Sequence, residues 1–430
     1  MAPLLAPSRL GVSTCRRPIT PTATFAASRE AASRVVILGG TGRVGASTAV
    51  NLLNLRPNVE LVLAGRSREN YARALDENPT LANAMFLQTD ADDKASVKSA
   101  IDGADLLVHC AGPFQRLEHC HPLDACIEKG VPYVDVADDT EYTMRCRGRA
   151  DAAKEANVPA VTSAGIFPGA SNVMAADMLD ERRAAAEESG EDMPTPERLL
   201  FSYFTAGSGG VGTTILASTF LLATEDVTCF KDGEPVTVDP VSNRRVVDFG
   251  KGVGSREVFL YNLPEVATCH ETLGIPSVSA RFGTSPGIWN GAMLLLSKLP
   301  RPVSRSRAFA GAMAALSDPI VRLVDKIEGE KVAMRVEIEW SDGAVTCSLF
   351  NHPSLRTAVG AATAAFADAA LAGDTPAGVW VPEQTEAVPL RKDLLEKCAA
   401  PIGAIMILGK SPWRLGSDSV QLGMGLYVDR

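Results

Sequence analysis

Three glycines, Gly40, Gly42 and Gly45, follow a short apolar segment with the spacing Gly-x-Gly-x-x-Gly. The segment before them, residues 34–38, is rich in β-branched side chains and predicts a buried parallel strand, and residues 46–55 have the apolar spacing of a helix. Glycines at such a turn let the backbone approach a pyrophosphate, and the helix that follows presents free N–H groups and the positive end of its dipole. We therefore expect a dinucleotide to bind at Gly40, Thr41, Gly42, Arg43, Val44 and Gly45.

The end of the next predicted strand, residues 59–64, indicates which dinucleotide binds. Gly65-Arg66-Ser67 follows this strand, and no acidic residue occurs where an NAD-specific site presents one to the ribose 2′-hydroxyl. Arg66 can instead pair with a 2′-phosphate, and Ser67 can add a hydrogen bond. The alternative is that Arg66 is a solvated surface arginine. Its position, its charge and the missing acid favour NADP(H).

Two later loops are expected to complete the cofactor site. A strand at residues 106–110 is followed by Ala111, Gly112 and Pro113, at the carboxyl edge of the predicted sheet, where open α/β sheets bind their ligands. We expect the nicotinamide here, although a turn that needs glycine and proline only for its shape is an alternative. Asp90 follows the strand at residues 84–87 and is expected near the adenine or as the cap of the next helix.

The spacing of the polar residues leaves the catalytic group open. None of the six tyrosines is followed four residues later by lysine, so the Tyr-x-x-x-Lys arrangement of short-chain dehydrogenases is missing. Hydride transfer still needs a proton donor near the nicotinamide. His109 and Cys110 are candidates that can equally be core residues, and Asp138 and Asp139 are candidates that can equally cap a helix. The remaining candidates at strand ends are Tyr133, Asp135 and Tyr142.

A second glycine run lies between a predicted strand at residues 198–205 and an apolar helix at residues 215–223. Gly207, Gly209 and Gly212 repeat the Gly-x-Gly-x-x-Gly spacing, but no later strand completes a second nucleotide site and the Gly-Lys-Ser/Thr ending of a P-loop is missing. We expect this run to line a substrate cleft, with the helix N-terminus facing a carboxylate or carbonyl. A plain structural turn is the alternative.

The order of the predicted elements indicates an α/β fold with two parts. Strands and helices alternate from residue 34 to about residue 170, as in a Rossmann doubly wound parallel sheet. Short strands, hairpins and helices up to residue 372 predict a second, α+β substrate domain with antiparallel pairing. The expected divisions are 1–33 for a transit peptide, 34–175 for the Rossmann domain, 176–372 for the α+β domain and 373–430 for a segment that packs back on the core.

Composition and charge exclude several classes of function. The 430 residues are 46% hydrophobic and 22% charged, as in globular proteins, and the net charge is −9. The chain has no lysine and arginine block that suits nucleic acid, and no run of about 18 apolar residues that suits a membrane-spanning helix. We expect no metal, because the one cluster of cysteine and histidine lacks the paired spacing of zinc sites; it comprises His119, Cys120, His121 and Cys126.

Two segments carry clustered basic residues. Residues 1–33 are rich in serine, threonine, alanine and proline, with four arginines and a single acid, Glu30. This composition is typical of a transit peptide and favours a plastid, with the mitochondrion as second choice. The second segment lies between apolar helices and carries Lys298, Arg301, Arg305 and Arg307. We interpret it as a linker whose charges are solvated or, alternatively, as a peripheral contact with a membrane.

These motifs together resemble the saccharopine dehydrogenase-like family, and they are most similar to its plastid-targeted plant and algal branch. The resemblance rests on residues 35–45, 64–67, 110–114, 125–135 and 165–172, and continues more loosely in 273–283 and 376–383. It implies an NADP-linked oxidoreductase, a substrate site that includes Phe167, Gly169 and Asn172, and a second domain that also supports a homodimer. Members that act on saccharopine carry an aspartate where this chain has Phe167, so that substrate is not implied.

The sequence therefore predicts an NADP(H)-dependent oxidoreductase that transfers hydride to a small or medium-sized C=O, C=N or C=C substrate. A protein of a different class is the alternative. In that case the chain would be a regulatory or assembly protein of the plastid that keeps the cofactor site and has altered or lost its chemistry. Phe167, in place of the acid, favours this alternative.

Overall fold

The first strand forms where its β-branched residues predict it, and an alternation of strands and helices follows. The computed structural model describes residues 32–207, 213–300, 303, 306–415, 420–421 and 427–428, and residues 33–430 form one compact unit. The elements up to residue 161 are β1 (Arg34–Leu38), α1 (Arg43–Leu55), β2 (Glu60–Gly65), α2 (Arg68–Glu77), β3 (Met85–Gln88), α3 (Lys94–Ala100), β4 (Leu106–His109), α4 (His121–Lys129), β5 (Tyr133–Asp135), α5 (Thr140–Arg147), α6 (Ala150–Glu155) and β6 (Pro159–Val161).

These six strands form a parallel sheet whose two faces are both covered. Val36 and Leu38 of β1 pack into one hydrophobic cluster, and Val35 and Ile37 pack into another on the opposite face. Strands that are buried on both faces are typical of parallel sheets between two layers of helices. The strand order is β6-β5-β4-β1-β2-β3, which is the Rossmann doubly wound order, so the predicted fold class is confirmed.

The remainder of the chain builds a second sheet and the helices that cover it. Its elements are α7 (Ala170–Ser189), β7 (Pro196–Ala206), α8 (Thr213–Leu222), β8 (Val227–Lys231), β9 (Glu234–Val238), β10 (Ser242–Asp248), β11 (Ser255–Leu260), α9 (Pro264–Leu273), β12 (Ser277–Ser285), α10 (Ile288–Leu296), α11 (Arg307–Glu328), β13 (Lys331–Trp340), β14 (Val345–His352), α12 (Leu355–Ala372), β15 (Gly378–Trp380), α13 (Arg391–Cys398), β16 (Ile405–Lys410), β17 (Val420–Gln421) and β18 (Tyr427–Val428).

The second sheet is mixed, which corrects one part of the prediction. In the described part of the chain its order is β10-β11-β12-β7-β13-β14-β16, with β8 beside β12 and β9 beside β8. β7 and β12 run parallel over nine residue pairs, from Arg198 with Ser277 to Ala206 with Ser285. The expectation of antiparallel pairing is wrong for this pair. The long connection between the two strands, which includes α8 and α9, is of the crossover kind that parallel neighbours require.

A close contact between α1 and α12 joins the two parts of the molecule. α12 contains many alanines, and a methyl group built on its Gly360 would lie 2.3 Å from the Ser47 Oγ atom of α1. At the far end of the contact, Asp368 of α12 accepts hydrogen bonds from Arg56 (2.5 Å) and Lys397 (2.7 Å). One hydrophobic cluster consequently continues from β1 and α1 into β7 and β13.

The C-terminal part of the chain contributes one strand to each sheet. β15 pairs in parallel with β6 and extends the first sheet, and β16 pairs with β14 at the edge of the second sheet. Because α12 also packs on α1, the chain between residues 355 and 380 lies against the nucleotide-binding part, although the sequence prediction assigns residues 176–372 to the substrate domain.

Several predictions concern residues that the structure leaves undescribed. Gly209 and Gly212 of the second glycine run lie outside the described residues, as do Arg301, Arg305 and residues 1–31 of the predicted transit peptide. Among the helices that are described, none has the length and apolarity needed to cross a bilayer.

The geometry of the turn after β1 predicts that alanine substitutions at Gly42 and Gly45 lower the free energy of unfolding by different amounts. A methyl group at Gly45 would lie 2.3 Å from the carbonyl oxygen of Gly39, whereas one at Gly42 would lie 3.1 Å from the same atom. We expect Gly45→Ala to lower the free energy of unfolding by about 1–3 kcal/mol, because α1 would be pushed off β1. Gly42→Ala is the control and should cost clearly less in urea denaturation. Equal losses would contradict the close approach at Gly45.

Candidate cofactor and substrate site

The glycine motif forms a tight turn between β1 and α1, and one of its essential glycines was missed from the sequence. Gly39 has a φ of +81°, and a methyl group there would lie 2.8 Å from the Ala111 backbone nitrogen. Gly40, counted as the first glycine of the motif, is also tight, since a methyl group would lie 2.7 Å from the Ile37 carbonyl oxygen. The adjacent pair Gly39-Gly40 is the sequence signal that could have identified Gly39.

The start of α1 fits the phosphates of a dinucleotide. Gly42 is the residue before the helix, so the N–H groups of Arg43, Val44 and Gly45 belong to its first turn and have no partner within the helix. Thr41 is buried, and its Oγ1 atom occupies the space above Gly65 that a methyl group there would need. The backbone donors and the helix dipole together suit a pyrophosphate.

Arg66 lies at the carboxyl end of β2 and is exposed to solvent. It makes no ion pair with any residue that the structure describes. The Ser67 hydroxyl accepts a hydrogen bond from the Asn70 backbone nitrogen at 3.2 Å, and therefore caps α2. A polar groove of about 1060 Å³, including the part open to solvent, runs past Thr41, and its lining carries the arginines Arg73 and Arg356 and one acid, Glu77. This side of the turn suits the negative charge of a phosphorylated ribose.

Asp90 is exposed after β3, and its expected position near the adenine stays a prediction. Its carboxylate accepts a hydrogen bond from the Asp92 backbone nitrogen at 3.2 Å. The alternative role, capping of α3, belongs to Asp93, whose side chain accepts from the Ala95 backbone nitrogen at 2.9 Å. The capping interpretation of Asp90 is therefore wrong.

The loop after β4 adjoins the turn and is held from two sides. Ala111, Gly112 and Pro113 follow β4, and the peptide bond before Pro113 is cis. The Ala111 backbone nitrogen donates to His109 Nδ1 at 3.3 Å, and Arg307 of α11 donates to the Pro113 carbonyl oxygen at 3.3 Å. The loop thus connects the nucleotide-binding turn to α11 of the second part.

His109 and Cys110 lie below this loop in the core. Burial lowers the pKa of His109 to about 3, and the nearby His119 adds a smaller effect in the same direction, so the imidazole is neutral at physiological pH. Burial also raises the pKa of Cys110 to about 12. The thiol lies 3.8 Å from the hydroxyl of Thr48 on α1. A neutral imidazole and a protonated thiol in these positions serve packing and hydrogen bonding.

Three of the other candidates form a buried polar group around the ends of β5 and β6. Asp135 accepts hydrogen bonds from the Thr162 hydroxyl at 2.9 Å and from the Ser163 backbone nitrogen at 2.8 Å, and so ties the two strands together. The hydroxyls of Tyr133 and Tyr142 lie 3.4 Å apart, and burial raises the pKa of both well above the usual value.

Asp138 and Asp139 are neighbours in sequence, but the structure gives them different positions. Asp139 is the cap of α5 and accepts from the Tyr142 backbone nitrogen at 2.7 Å. Asp138 lines the cleft described below and accepts from the Gln115 side chain at 2.8 Å. The surrounding protein removes water from the Asp138 carboxylate and raises its pKa to about 6. Asp138 is therefore the candidate that combines access to the cleft with a protonation change near neutrality.

An apolar cleft opens beside Asp138, between the end of the first sheet and α8, α10 and α11. It encloses about 1180 Å³ of empty space, including the part open to solvent. Among the described residues that line it, Asp138 is the one carboxylate, and Gly207 is at its wall as predicted. Most of the lining is apolar and includes Phe167, Leu216, Leu222, Phe282, Trp289, Met293 and Leu355.

Of the predicted substrate residues in the loop before α7, Phe167 alone lines this cleft. Its ring stacks on Tyr203 at a centroid distance of 4.5 Å. Gly169 has a φ of +132° and no room for a side chain, because a methyl group would lie 1.9 Å from the Gly165 carbonyl oxygen. Asn172 is buried and donates to Glu383 at 3.0 Å. Gly169 and Asn172 therefore shape the loop that presents Phe167.

The nucleotide-binding part is similar to a known family. Residues 35–161 match the model of the saccharopine dehydrogenase NADP binding domain family. The predicted family resemblance is confirmed. The match covers the glycine turn, Arg66 and the loop after β4, and ends before Phe167.

Two individual proteins extend this comparison. The chain is 29% identical over 156 residues to a carboxyaminopropylagmatine dehydrogenase from Synechocystis, over 34% of this chain and 37% of the relative, so it spans little more than a third of that protein's length. The fold matches that of a saccharopine dehydrogenase (L-Glu forming) from Saccharomyces cerevisiae with a TM-score of 0.60 and 13% identity, over 87% of this chain and all of that chain. The likeness to the yeast structure is one of fold.

Two further acidic residues lie in the second part of the chain, and no sequence motif singles them out. Burial raises the pKa of Glu225, at the end of α8, to about 7, and Asn262 donates to its carboxylate at 3.4 Å. Burial also raises the pKa of Glu265, in the first turn of α9, to about 7. The Glu265 carboxyl is fully buried beside the Tyr203 phenol, but no described residue forms a well-aligned hydrogen bond with it.

The cysteine and histidine cluster does not converge on one point. The rings of His119 and His121 stack at 3.9 Å, while Cys120 faces Cys146 with 3.4 Å between the sulfurs. In the described ranges, no three histidine, cysteine, aspartate or glutamate side chains are arranged to hold a metal ion.

Burial of Glu265 predicts a pH-dependent stability. Its pKa is about 7 in the folded protein, against an ordinary value of 4.5, so the folded state keeps a proton that the unfolded state loses between these values. Stability from this group is present at low pH and falls as the pH rises from 4.5 to 7, by roughly 3 kcal/mol. We expect the free energy of unfolding of Glu265→Gln, measured by denaturation at pH 5 and pH 8, to decline less between these pH values than that of the wild type. The exposed Glu188→Gln is the control, and an unchanged decline in Glu265→Gln would contradict the argument.

Proposed function

We propose that this protein is an NADP(H)-dependent oxidoreductase that reduces a C=O, C=N or C=C bond in a largely apolar substrate. The observation that carries the proposal is the position of Asp138. Its carboxyl group lines the apolar cleft, and Gln115, which follows the Gly112-Pro113 loop, holds it by a hydrogen bond. Asp138, a group that can give up a proton, is thus the one carboxylate among the described residues that line this apolar cleft.

The cofactor half of the proposal rests on the turn after β1. NADP(H), when bound, supplies or accepts the hydride. Gly42 would allow the backbone to approach the pyrophosphate, Gly45 allows α1 to pack closely on the end of β1, and the first N–H groups of α1 would bind the phosphates. Arg66 would pair with the 2′-phosphate, which an exposed guanidinium at the end of β2 can reach without breaking an existing ion pair. The match to an NADP binding domain supports this assignment.

The substrate half rests on the chemistry of the cleft. A growing negative charge on the substrate oxygen, nitrogen or carbon needs a proton, and Asp138 with a pKa of about 6 can donate one near neutral pH. Phe167 occupies the position at which family members that act on saccharopine carry an acid, and it stacks on Tyr203. An aromatic wall recognises an apolar or aromatic group and offers no charge to an amino group.

Phe167 also supports a second candidate, an NADP(H)-binding regulatory or assembly protein without hydride transfer. This candidate uses the same turn and Arg66, so cofactor binding does not separate the two. For either candidate we propose a plastid location, which the composition of residues 1–33 supports.

Arg66→Asp tests the choice of cofactor. The substitution removes the cation and places an anion next to the 2′-phosphate, so we expect NADPH binding to weaken by roughly 2–3 kcal/mol and NADH binding to change little. Dissociation constants from the quenching of protein fluorescence provide the measurement. Arg183→Ala, at an exposed arginine on α7, is the control. Equal losses for both nucleotides would rule out a 2′-phosphate contact.

Asp138→Asn tests the chemistry. The measurement is deuterium transfer from NADPH labelled at either face of C4 to a panel of alkyl and aryl ketones, imines and enones, followed by mass spectrometry. We expect the wild type to label a product, at a rate that falls as the pH rises through about 6, because only the protonated carboxyl donates. Asp138→Asn should lower the rate by roughly 10²–10⁴-fold without changing NADPH binding.

The exposed Asp151→Asn is the matched control for this experiment. A wild-type rate in Asp138→Asn would exclude Asp138 as the proton donor. If neither form of labelled NADPH transfers deuterium to any compound, the second candidate is favoured.

A further inference from the structure

Large apolar side chains are exposed on the two helices that border the cleft from outside. Ile288 and Leu295 of α10 are 78% and 75% exposed, and Leu316 and Ile320 of α11 are 73% and 57% exposed. Val303, between the two helices, is 49% exposed. Single exposed apolar residues are ordinary, but a concentration of this kind marks an interaction surface.

Both helices are apolar on their inner side as well. Met293 and Leu296 of α10 and Ala314 and Val321 of α11 are buried in the protein. A surface helix normally turns an apolar stripe inward and a polar face outward. Between Arg307 and Val321, the part of α11 whose burial the structure describes, the exposed positions other than Arg307 carry alanine, glycine, leucine, proline and isoleucine, at residues 308, 311, 312, 315, 316, 319 and 320. Contact with water alone therefore does not explain why the outer face of α11 carries apolar residues.

The charge of this region differs from that of the whole chain. The net charge of the protein is −9, yet no aspartate or glutamate occurs between Glu271 and Asp318. The basic residues in that stretch are Arg281, Lys298, Arg301, Arg305 and Arg307. Lys298 forms an ion pair with Asp239 at 3.2 Å, and Arg307 donates to the Pro113 carbonyl oxygen at 3.3 Å. Both basic side chains therefore contact other parts of the protein.

We propose that Ile288, Leu295, Val303, Leu316 and Ile320, named here the apolar face, dock on the surface of a lipid bilayer that contains anionic lipids. Side chains of this size insert to the depth of the headgroups, while the exposed Arg307 of α11, within a stretch of sequence that contains basic but no acidic residues, attracts negative lipid charge. A second copy of the chain suits the face less, because a symmetric contact would bring the same basic segments together. No described helix can span a bilayer, so the contact is peripheral.

Docking on a membrane goes beyond the proposed function. It also places the protein next to a source of apolar substrate. Trp289, Met293 and Val321 line the apolar cleft from the inner side of the same two helices. A molecule that partitions into the bilayer would thus find the cleft next to the membrane surface. This step rests on the proposed function, whereas docking itself requires neither cofactor nor catalysis.

Vesicle flotation with the full chain tests the docking. The probes are vesicles of phosphatidylcholine alone and vesicles with about one third phosphatidylglycerol, an anionic lipid. We expect the wild type to float with the anionic vesicles, and to float less at high salt. Leu295→Asp and Leu316→Asp should each lower the bound fraction about tenfold, because a carboxylate does not enter the headgroup region.

Val246→Asp is the matched control, since Val246 is 58% exposed on β10 of the second sheet, outside the apolar face. It should float as the wild type does. NADPH binding and circular dichroism confirm that each variant is folded. Failure of the wild type to float, or equal flotation of all variants, would overturn the proposal.

Sedimentation velocity tests the other possible occupant of the apolar face, a second copy of the chain. A wild-type dimer that Leu295→Asp converts to monomers would assign the apolar face to a second copy and would also overturn membrane docking. The result of the deuterium-transfer experiment does not affect either readout, so failure of the proposed reaction and failure of docking are distinguishable.

Discussion

The position of the cofactor turn relative to the cleft depends on the contact between α1 and α12. α1 begins at the glycine turn, and α12 begins at Leu355, which lines the cleft. The two helices approach so closely at Gly360 that a methyl group would collide with Ser47. Tight packing of small residues leaves no freedom for one helix to slide on the other. This contact therefore helps to fix the first sheet relative to the second, together with others such as the ion pair between Arg147 of α5 and Glu271 of α9.

Within that frame, Asp138 is the carboxyl group that lines the apolar cleft, while Glu225 and Glu265 lie outside its described lining. Apolar neighbours disfavour the charged form of an acid, which explains why burial raises the pKa of Asp138, Glu225 and Glu265 towards neutrality. The same lack of water strengthens any polar contact that a substrate makes there. Burial of such groups lowers stability at neutral pH, and strain of this kind is concentrated at functional sites in proteins.

Local sequence signals predicted the first sheet and the glycine turn, because the strand, the turn and the helix that form them are adjacent in the chain. The sequence did not show that residue 39 must be glycine, because the space that a side chain would need there is occupied by Ala111 of a distant loop. Asp138 and Asp139 have the same chemistry in sequence, and only the direction of each side chain separates a cleft residue from a helix cap. Glu265 and Glu383 follow Gly45, the last glycine of the motif, by 220 and 338 residues, and no spacing rule connects them to the motif.

The addition of β15 to the first sheet has a consequence for how the protein folds. β6 is an edge strand until residues 378–380 pair with it, and an unpaired edge is a template for intermolecular pairing. During synthesis, the nucleotide-binding sheet must wait for more than 200 further residues before its last strand arrives. The nascent chain thus exposes an unpaired strand edge through about half of translation, when chaperones or early formation of the second sheet would protect it from aggregation.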